Sequence, residues 1–245
     1  GGTNSGIDPD YGYYSLTVET FYMDRYEVTK ALWNDVAGWA ASHGYDIGVG
    51  TGEGKAENHP VHDLSWLDCV KWCNARSEKE GLTPCYTVGT NVCRTGMTVP
   101  DCDTTRNGYR LPSLPEWQYA ARGGLSGHRF PWGDTIQHSQ ANYESTSAQY
   151  NYDISPTDGY HPTYEIGEMP YTSPVGTFAP NGYGLYNMAG NIREYTNQEG
   201  VNNTRIIAAG YWGASAGIAR CGHYSYGAAV IAGSDPGTGF RTVRR

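Results

Sequence analysis

The spacing of apolar side chains changes character several times along the chain. Residues 13–28 alternate apolar with polar positions, the period of one or two strands. From Thr29 the spacing becomes helical. Leu32, Val36, Trp39 and Ala40 fall at i, i+4, i+7 and i+8, and Thr29 can accept from a free backbone N–H as N-cap. Residues 43–58 are glycine-rich and aperiodic, hence a loop. The span Ser65 to Glu80 predicts the clearest helix. Trp66, Cys69, Val70 and Cys73 form one buried stripe, Ser65 and Asp68 make a capping box, and Gly81 stops the turn. A hairpin-like stretch over 82–110 contains a strand at Tyr86–Val88. The third helix opens on Ser113-x-x-Glu116 with Pro115 in its first turn, and Gly123-Gly124 ends it. Residues 1–12, rich in Gly and Asp, predict a flexible N-terminal arm, and no linker divides residues 13–245, which predict one domain.

Between 125 and 185 no period is visible. A stretch that long in a compact domain needs something other than ladder hydrogen bonds, and metal ions are a natural candidate. Hard cations take carboxylate, amide and backbone oxygens from such loops. Asn142, Asp158 and the backbone near Gly159 offer one oxygen set. Asn187, Gly190, Asn191 and Glu194 offer another. Each set alone reads as a solvated turn.

Composition narrows the function classes. Gly (33) and Tyr (21) are abundant and Phe (4) is scarce, which favours irregular backbone and amphipathic recognition surface. The formal charge is −8 with no basic stripe, which argues against nucleic-acid binding. No apolar run approaches the ~20 residues of a membrane span. Six cysteines permit three disulfides, with many possible pairings. Cys93 and Cys102 bracket a short loop they could staple, and Cys69 with Cys73 suits core packing or a bridge to a distant cysteine. The Gly-Gly start without Met points to processing, with any signal or lipid anchor lying upstream. His59, His62 and Asp63 could hold a transition metal, but Pro60 forces extended backbone and no third His is placed by a motif, so the reading taken is a turn into the helix that begins at Ser65.

Residues 201–245 contain no Glu, Lys, Gln or Met, whereas the rest of the chain holds 25 of them. Even sampling would place about five in this segment. From Ala208 to Gly239 it is mostly Gly, Ala, Ser, Tyr, Ile, Val and His, with neither strand nor helix period.

The run Gly108-Tyr-Arg-Leu-Pro-Ser-Leu-Pro-Glu-Trp-Gln-Tyr-Ala-Ala-Arg-Gly-Gly124 resembles the hallmark of the formylglycine-generating-enzyme family. Phe130-Pro-Trp-Gly-Asp134, Asn181–Glu194 and the closing Gly239-Phe-Arg241 agree, as does His59-Pro-Val before Ser65-Trp66. The resemblance implies an α+β, C-type-lectin-like fold with little regular secondary structure. It also implies calcium as cofactor. One ion would take Asn142 and Asp158 with the carbonyls of Tyr143 and Tyr160. The other would take Asn187 and Glu194 with the carbonyls of Gly190 and Ile192. The family's oxidase needs two copper-binding cysteines after a Gly-Gly-Ser-Tyr/Trp block. Here that block reads Ala209-Gly210-Tyr211-Trp212, and alignment puts Ala214 and Ala219 at the cysteine positions. An alanine methyl cannot bind copper, so neither copper nor enzymatic activity is expected. Cys221 resembles the family's structural cysteine, with Cys73 as its implied partner. The related sulfoxide synthases need a three-His iron site on an additional helical domain, which is absent from this sequence.

The C-terminal segment further resembles the variable proteins of diversity-generating retroelements. Adenine randomisation of Asn codons reaches neither Glu, Lys, Gln, Met nor Trp, and the one Trp of the segment, Trp212, sits at a family-fixed position. The resemblance implies a variable region over 205–241. Its candidate ligand contacts are Tyr211, Gly213, Ala214, Ser215, Ile218, Ala219, His223, Tyr224, Ser225, Tyr226 and Ala228. The expected role is a noncatalytic binder of a protein or other cell-surface ligand, displayed outside the cell, with a possible upstream lipid anchor as its contact with membrane. The alternative is a formylglycine-generating oxidase acting on cysteine in sulfatase-like peptides.

Overall fold

The computed structural model describes residues 1–47, 52–229 and 235–245. Among the described residues, three helices and eleven short strands surround long irregular connections. The strands are β1 (Gly2–Asp8), β2 (Gly12–Val18), β3 (Tyr22–Met23), β4 (Tyr86–Val88), β5 (Asn91–Val92), β6 (Asp101–Cys102), β7 (Arg193–Glu199), β8 (Thr204–Ala208), β9 (Tyr224–Ala229), β10 (Thr238–Gly239) and β11 (Val243–Arg244). The helices are α1 (Lys30–Ala41), α2 (Trp66–Lys79) and α3 (Leu114–Ala121). This is the expected mixed α+β class with little regular structure.

The helix boundaries follow local chemistry. Thr29 accepts from the Leu32 N–H, and Ser65 and Ser113 each form a complete capping box, with Asp68 and Glu116. Helix α2 buries Trp66, Cys69, Val70 and Cys73 as its stripe requires. In the main core the Trp33 and Trp72 rings stack at 5.9 Å, and Phe240 meets both edge-on at 6.1 and 5.3 Å. The Gly239-Phe-Arg241 block thus locks the C-terminus against α1 and α2. The central sheet has the order β10-β7-β8-β9.

Three expectations change. Residues 1–12 are not a loose arm: β1 pairs antiparallel with β2 from Gly2↔Val18 to Asp8↔Gly12. Its inward positions are polar, so no apolar period announces it. Asn4 donates to the Leu125 carbonyl at 2.9 Å, and buried Asp8 meets Arg122 at 3.0 Å. Second, all six cysteines are free. Cys73 lies in the core around Trp72 and Cys85, whereas Cys221 lies in a separate cluster with Trp117 and Ala208, so the implied pair does not form. Third, β9 emerges in the stretch from Ala208 to Gly239 that showed no period. Within the irregular 125–185 stretch, the buried Asp153 carboxylate ties down residues 143–146. It accepts from the Tyr143 hydroxyl at 2.6 Å, the Ser145 hydroxyl at 3.0 Å and the Thr146 N–H at 2.8 Å.

Candidate functional site

The segment from Ala209 to His223 crosses the end of the central sheet as an irregular loop. It is fastened by main-chain atoms. The Trp212 N–H donates to the Asn191 carbonyl at 3.0 Å, the Ala214 carbonyl accepts from Glu144 N–H at 2.9 Å, and the Cys221 N–H donates to the Arg129 carbonyl at 2.7 Å. Trp212 supplies the one large buried anchor, packed against Tyr160 and Tyr171 with ring centres 5.7 and 5.3 Å away.

Ala214 and Ala219 come together here. A Cβ placed on Gly210 would stand 3.3 Å from Ala214 Cβ and 3.1 Å from Ala219 Cα, so both alanines flank one glycine. Ala214 is 2% exposed and Ala219 is 0% exposed. They are therefore withdrawn as ligand contacts: their methyls face inward. Neither offers a metal-binding or nucleophilic atom.

The remaining candidates divide by exposure. Tyr224 and Tyr226 project from one face of β9, exposed, with their rings edge to face at 6.5 Å. Tyr211, Gly213, Ser215, Ile218, His223 and Ser225 are half-buried. The Tyr211 ring carries the Arg193 guanidinium 4.4 Å from its centre. Ala228 belongs to β9, and its side chain falls outside the described residues.

The sequence reading missed Arg220 and Tyr11. An Arg220 N–H donates to the Tyr11 oxygen at 3.0 Å, and Tyr11 lies 3.0 Å from His223 Nδ1. Guanidinium can only donate, which leaves the Tyr11 hydroxyl proton free for a hydrogen bond with the His223 ring. Burial, then the Arg220 charge, push the His223 pKa below its ordinary value. Asp10 completes the cluster, 2.9 Å from Arg220 and 2.8 Å from Arg129. The β1–β2 turn is thus the rim of this surface. Nothing local in the sequence signals a contact across two hundred residues.

The two oxygen sets are rearranged. Asn142 donates to the Tyr171 carbonyl at 2.8 Å and to Asn191 Oδ1 at 3.2 Å. Asp158 is exposed and accepts instead from the Ser147 N–H at 2.8 Å. The Tyr143 carbonyl lies 3.2 Å from His138 Nε2, and Tyr160 packs on Trp212. The first set thus has its carboxylate and one carbonyl engaged elsewhere. In the second, both Glu194 oxygens are already bonded by Arg241, and one also by the Trp117 indole at 2.7 Å. The Gly190 carbonyl accepts from the Ile192 N–H at 2.9 Å. Asn187 donates to Glu27 at 3.1 Å, and Asn191 donates to Glu27 at 2.9 Å. Asn142 Oδ1 and Asn187 Oδ1 are buried and have no donor among the described residues. A buried oxygen without a donor costs roughly 1–3 kcal/mol, so a cation fits there better than emptiness. Burial is the main cause that pushes the Glu27 pKa up to about 7.

The chain matches the sulfatase-modifying factor enzyme 1-like domain over residues 6–245. It is 33% identical to the protein named chaperone protein LppX of Paenibacillus barcinonensis, covering all of this chain and 87% of that one. It is 33% identical to the formylglycine-generating enzyme of Mus musculus over 57% of this chain but 27% of the enzyme. It is 35% identical to the inactive Cα-formylglycine-generating enzyme 2 of Bos taurus over 76% of this chain and 46% of that protein. Among solved structures, CarF superimposes with a TM-score of 0.73 at 27% identity, covering 100% of this chain and 93% of CarF. Treponema denticola variable protein 1 superimposes with a TM-score of 0.70 at 22% identity, covering 100% and 92%, and so shares the fold. On the whole-length match and the motif blocks that build its core, the chain belongs to the sulfatase-modifying factor enzyme 1-like family.

Proposed function

We propose that this protein is a noncatalytic ligand-binding module whose C-terminal segment is a diversifiable display surface. The observation that carries the reading is the main-chain fastening of residues 212–221 to Asn191, Glu144 and Arg129. A loop held by backbone atoms and one Trp keeps its shape when its other side chains change. The missing Glu, Lys, Gln and Met of 201–245 support the same reading, as does the fold shared with a Treponema variable protein. The ligand is a protein or another cell-surface molecule, met outside the cell, and an upstream lipid anchor is one means of attachment. The family relative named as a chaperone and the inactive bovine relative are in keeping with a binding role.

Against the oxidase alternative stand Ala214 and Ala219, at the positions where the family resemblance expects thiols. We further propose calcium at the second oxygen set, around Asn187, whose buried Oδ1 is an oxygen ligand without a donor among the described residues.

Sequencing of the coding region for 201–245, in clonal descendants and natural relatives, tests the display reading. Substitutions confined to adenines of a nearby template repeat are expected. An invariant segment without such a repeat would remove the reading. Conversion of a Cys-x-Pro-x-Arg peptide to formylglycine by purified protein would replace it with the oxidase.

A further inference from the structure

Glu27 lies between β3 and α1, is 1% exposed, and forms no salt bridge among the described residues. Main-chain bonds hold its segment on both sides. The Asp24 and Val28 N–H groups donate to the Thr242 and Phe240 carbonyls, each at 2.9 Å. The Tyr186 N–H donates to the Arg25 carbonyl at 3.0 Å, which brings the 187–191 turn against Glu27. One Glu27 oxygen then accepts from Asn187 Nδ2 at 3.1 Å and the other from Asn191 Nδ2 at 2.9 Å. Asn187 and Asn191 have φ 54 and 64, the left-handed backbone that asparagine tolerates better than most residues.

An amide side chain has one donor end and one acceptor end, so the place of its N–H2 decides the place of its oxygen. With its N–H2 on Glu27, Asn191 turns Oδ1 to the Asn142 amide at 3.2 Å and the Ser173 N–H at 2.8 Å. Asn187 is held the same way, yet its Oδ1 meets no donor among the described residues. The reversed Asn187 amide would set oxygen against a buried carboxylate oxygen, so Glu27 excludes it. Charge agrees with this arrangement. Glu27 and Glu194 are both buried, and Arg241 gives its carboxylate bonds to Glu194. A buried carboxylate without a counter-charge is costly, and a divalent cation at the Asn187 oxygen supplies the missing positive charge.

We propose that Glu27 is the positioning residue of the calcium set around Asn187: by taking the Asn187 N–H2 it commits Oδ1 to the ion, and its charge balances the ion from behind the amide. The inference rests on calcium at that set and deepens it with a residue 160 positions away in the chain.

The test follows melting temperature against buffered free calcium in the full chain, which gives an apparent calcium affinity for each variant. Glu27→Gln keeps the shape but brings an N–H2 against one asparagine N–H2. Asn187 is the amide that reverses, because the Asn191 oxygen has donors to lose and the Asn187 oxygen has none. The calcium affinity should therefore fall about tenfold or more. Adding Asn187→Asp to Glu27→Gln exchanges donor for acceptor in that one bond, keeps an acceptor for Asn191, and leaves one oxygen of the new carboxylate for the ion. The double variant should recover affinity close to the parent's. A role in packing alone would lower the melting temperature at every calcium concentration and leave the affinity unchanged. Unchanged affinity in Glu27→Gln, or no recovery in the double variant, would overturn the positioning role while calcium itself stands. A parent whose melting temperature ignores calcium would overturn the calcium reading and this one with it. If Glu27→Gln alone does not fold, the double variant decides, by matching the parent's affinity or failing to.

Discussion

Arg241 closes on Glu194 with neither side chain exposed: Nε lies 2.9 and 2.8 Å from the two carboxylate oxygens, and an Nη atom 2.7 Å from one of them. Trp117 adds its indole N–H to the same carboxylate at 2.7 Å. Three sequence blocks, from α3, β7 and the C-terminus, therefore meet at one ion pair. Removing one partner leaves a buried charge uncompensated, so Arg241→Ala or Glu194→Ala should each cost about 3–5 kcal/mol in urea denaturation. Arg241→Met with Glu194→Leu should cost less than either single change. Single variants within 1 kcal/mol of the parent would contradict this role.

His223 carries a pH dependence. Its folded pKa is depressed, so the folded state binds fewer protons than the unfolded chain below about pH 6.5. Its contribution is complete above the unfolded value and is lost as pH falls through about 6.5 toward the folded pKa. The urea midpoint should fall between pH 8 and 5.5, and fall less in His223→Asn, where the ring cannot titrate. Identical slopes in the two proteins would show that His223 is not responsible.

The free thiols make a chemical prediction. Burial pushes the Cys221 and Cys102 thiols up to about 12 and those of Cys69 and Cys73 well above the ordinary value. Protein purified without reductant should resist iodoacetamide when native and take six labels once unfolded in urea. Mass spectrometry showing fewer labels would reveal bridges.

Calcium at Asn187 predicts linkage. An ion bound only to the native state at a hundred times its dissociation constant adds about 2.7 kcal/mol. Chelator should then lower the melting temperature by several degrees, and Asn187→Ala should erase that difference. Asp158→Asn should keep it. Equal melting curves with and without chelator in the parent protein would argue against the ion.

Display predicts a split between anchors and surface. Tyr224→Ser and Tyr226→Ser, at exposed positions, should change stability by no more than about 1 kcal/mol each. Trp212→Ala, which empties a buried aromatic site, should cost about 3–5 kcal/mol. Comparable losses at all three positions would mean that the tyrosines belong to the core.

Much of this architecture was legible in the chain. The three helices announce themselves because caps and apolar stripes act over three or four residues, as Ser65 with Asp68 and Ser113 with Glu116 demonstrate. The family blocks, the alanines at 214 and 219, and the missing residue types of 201–245 are also plain text. The tertiary structure alone decided the rest. It turned the polar first twelve residues into a hairpin, because Asn4 and Asp8 find partners at Leu125 and Arg122. It faced Ala214 and Ala219 inward, set Tyr11 beside His223, and joined Asn142 to Asn191 rather than to Asp158. Polar contacts between distant segments leave no period in a sequence, so only the closed fold reveals which donor meets which acceptor.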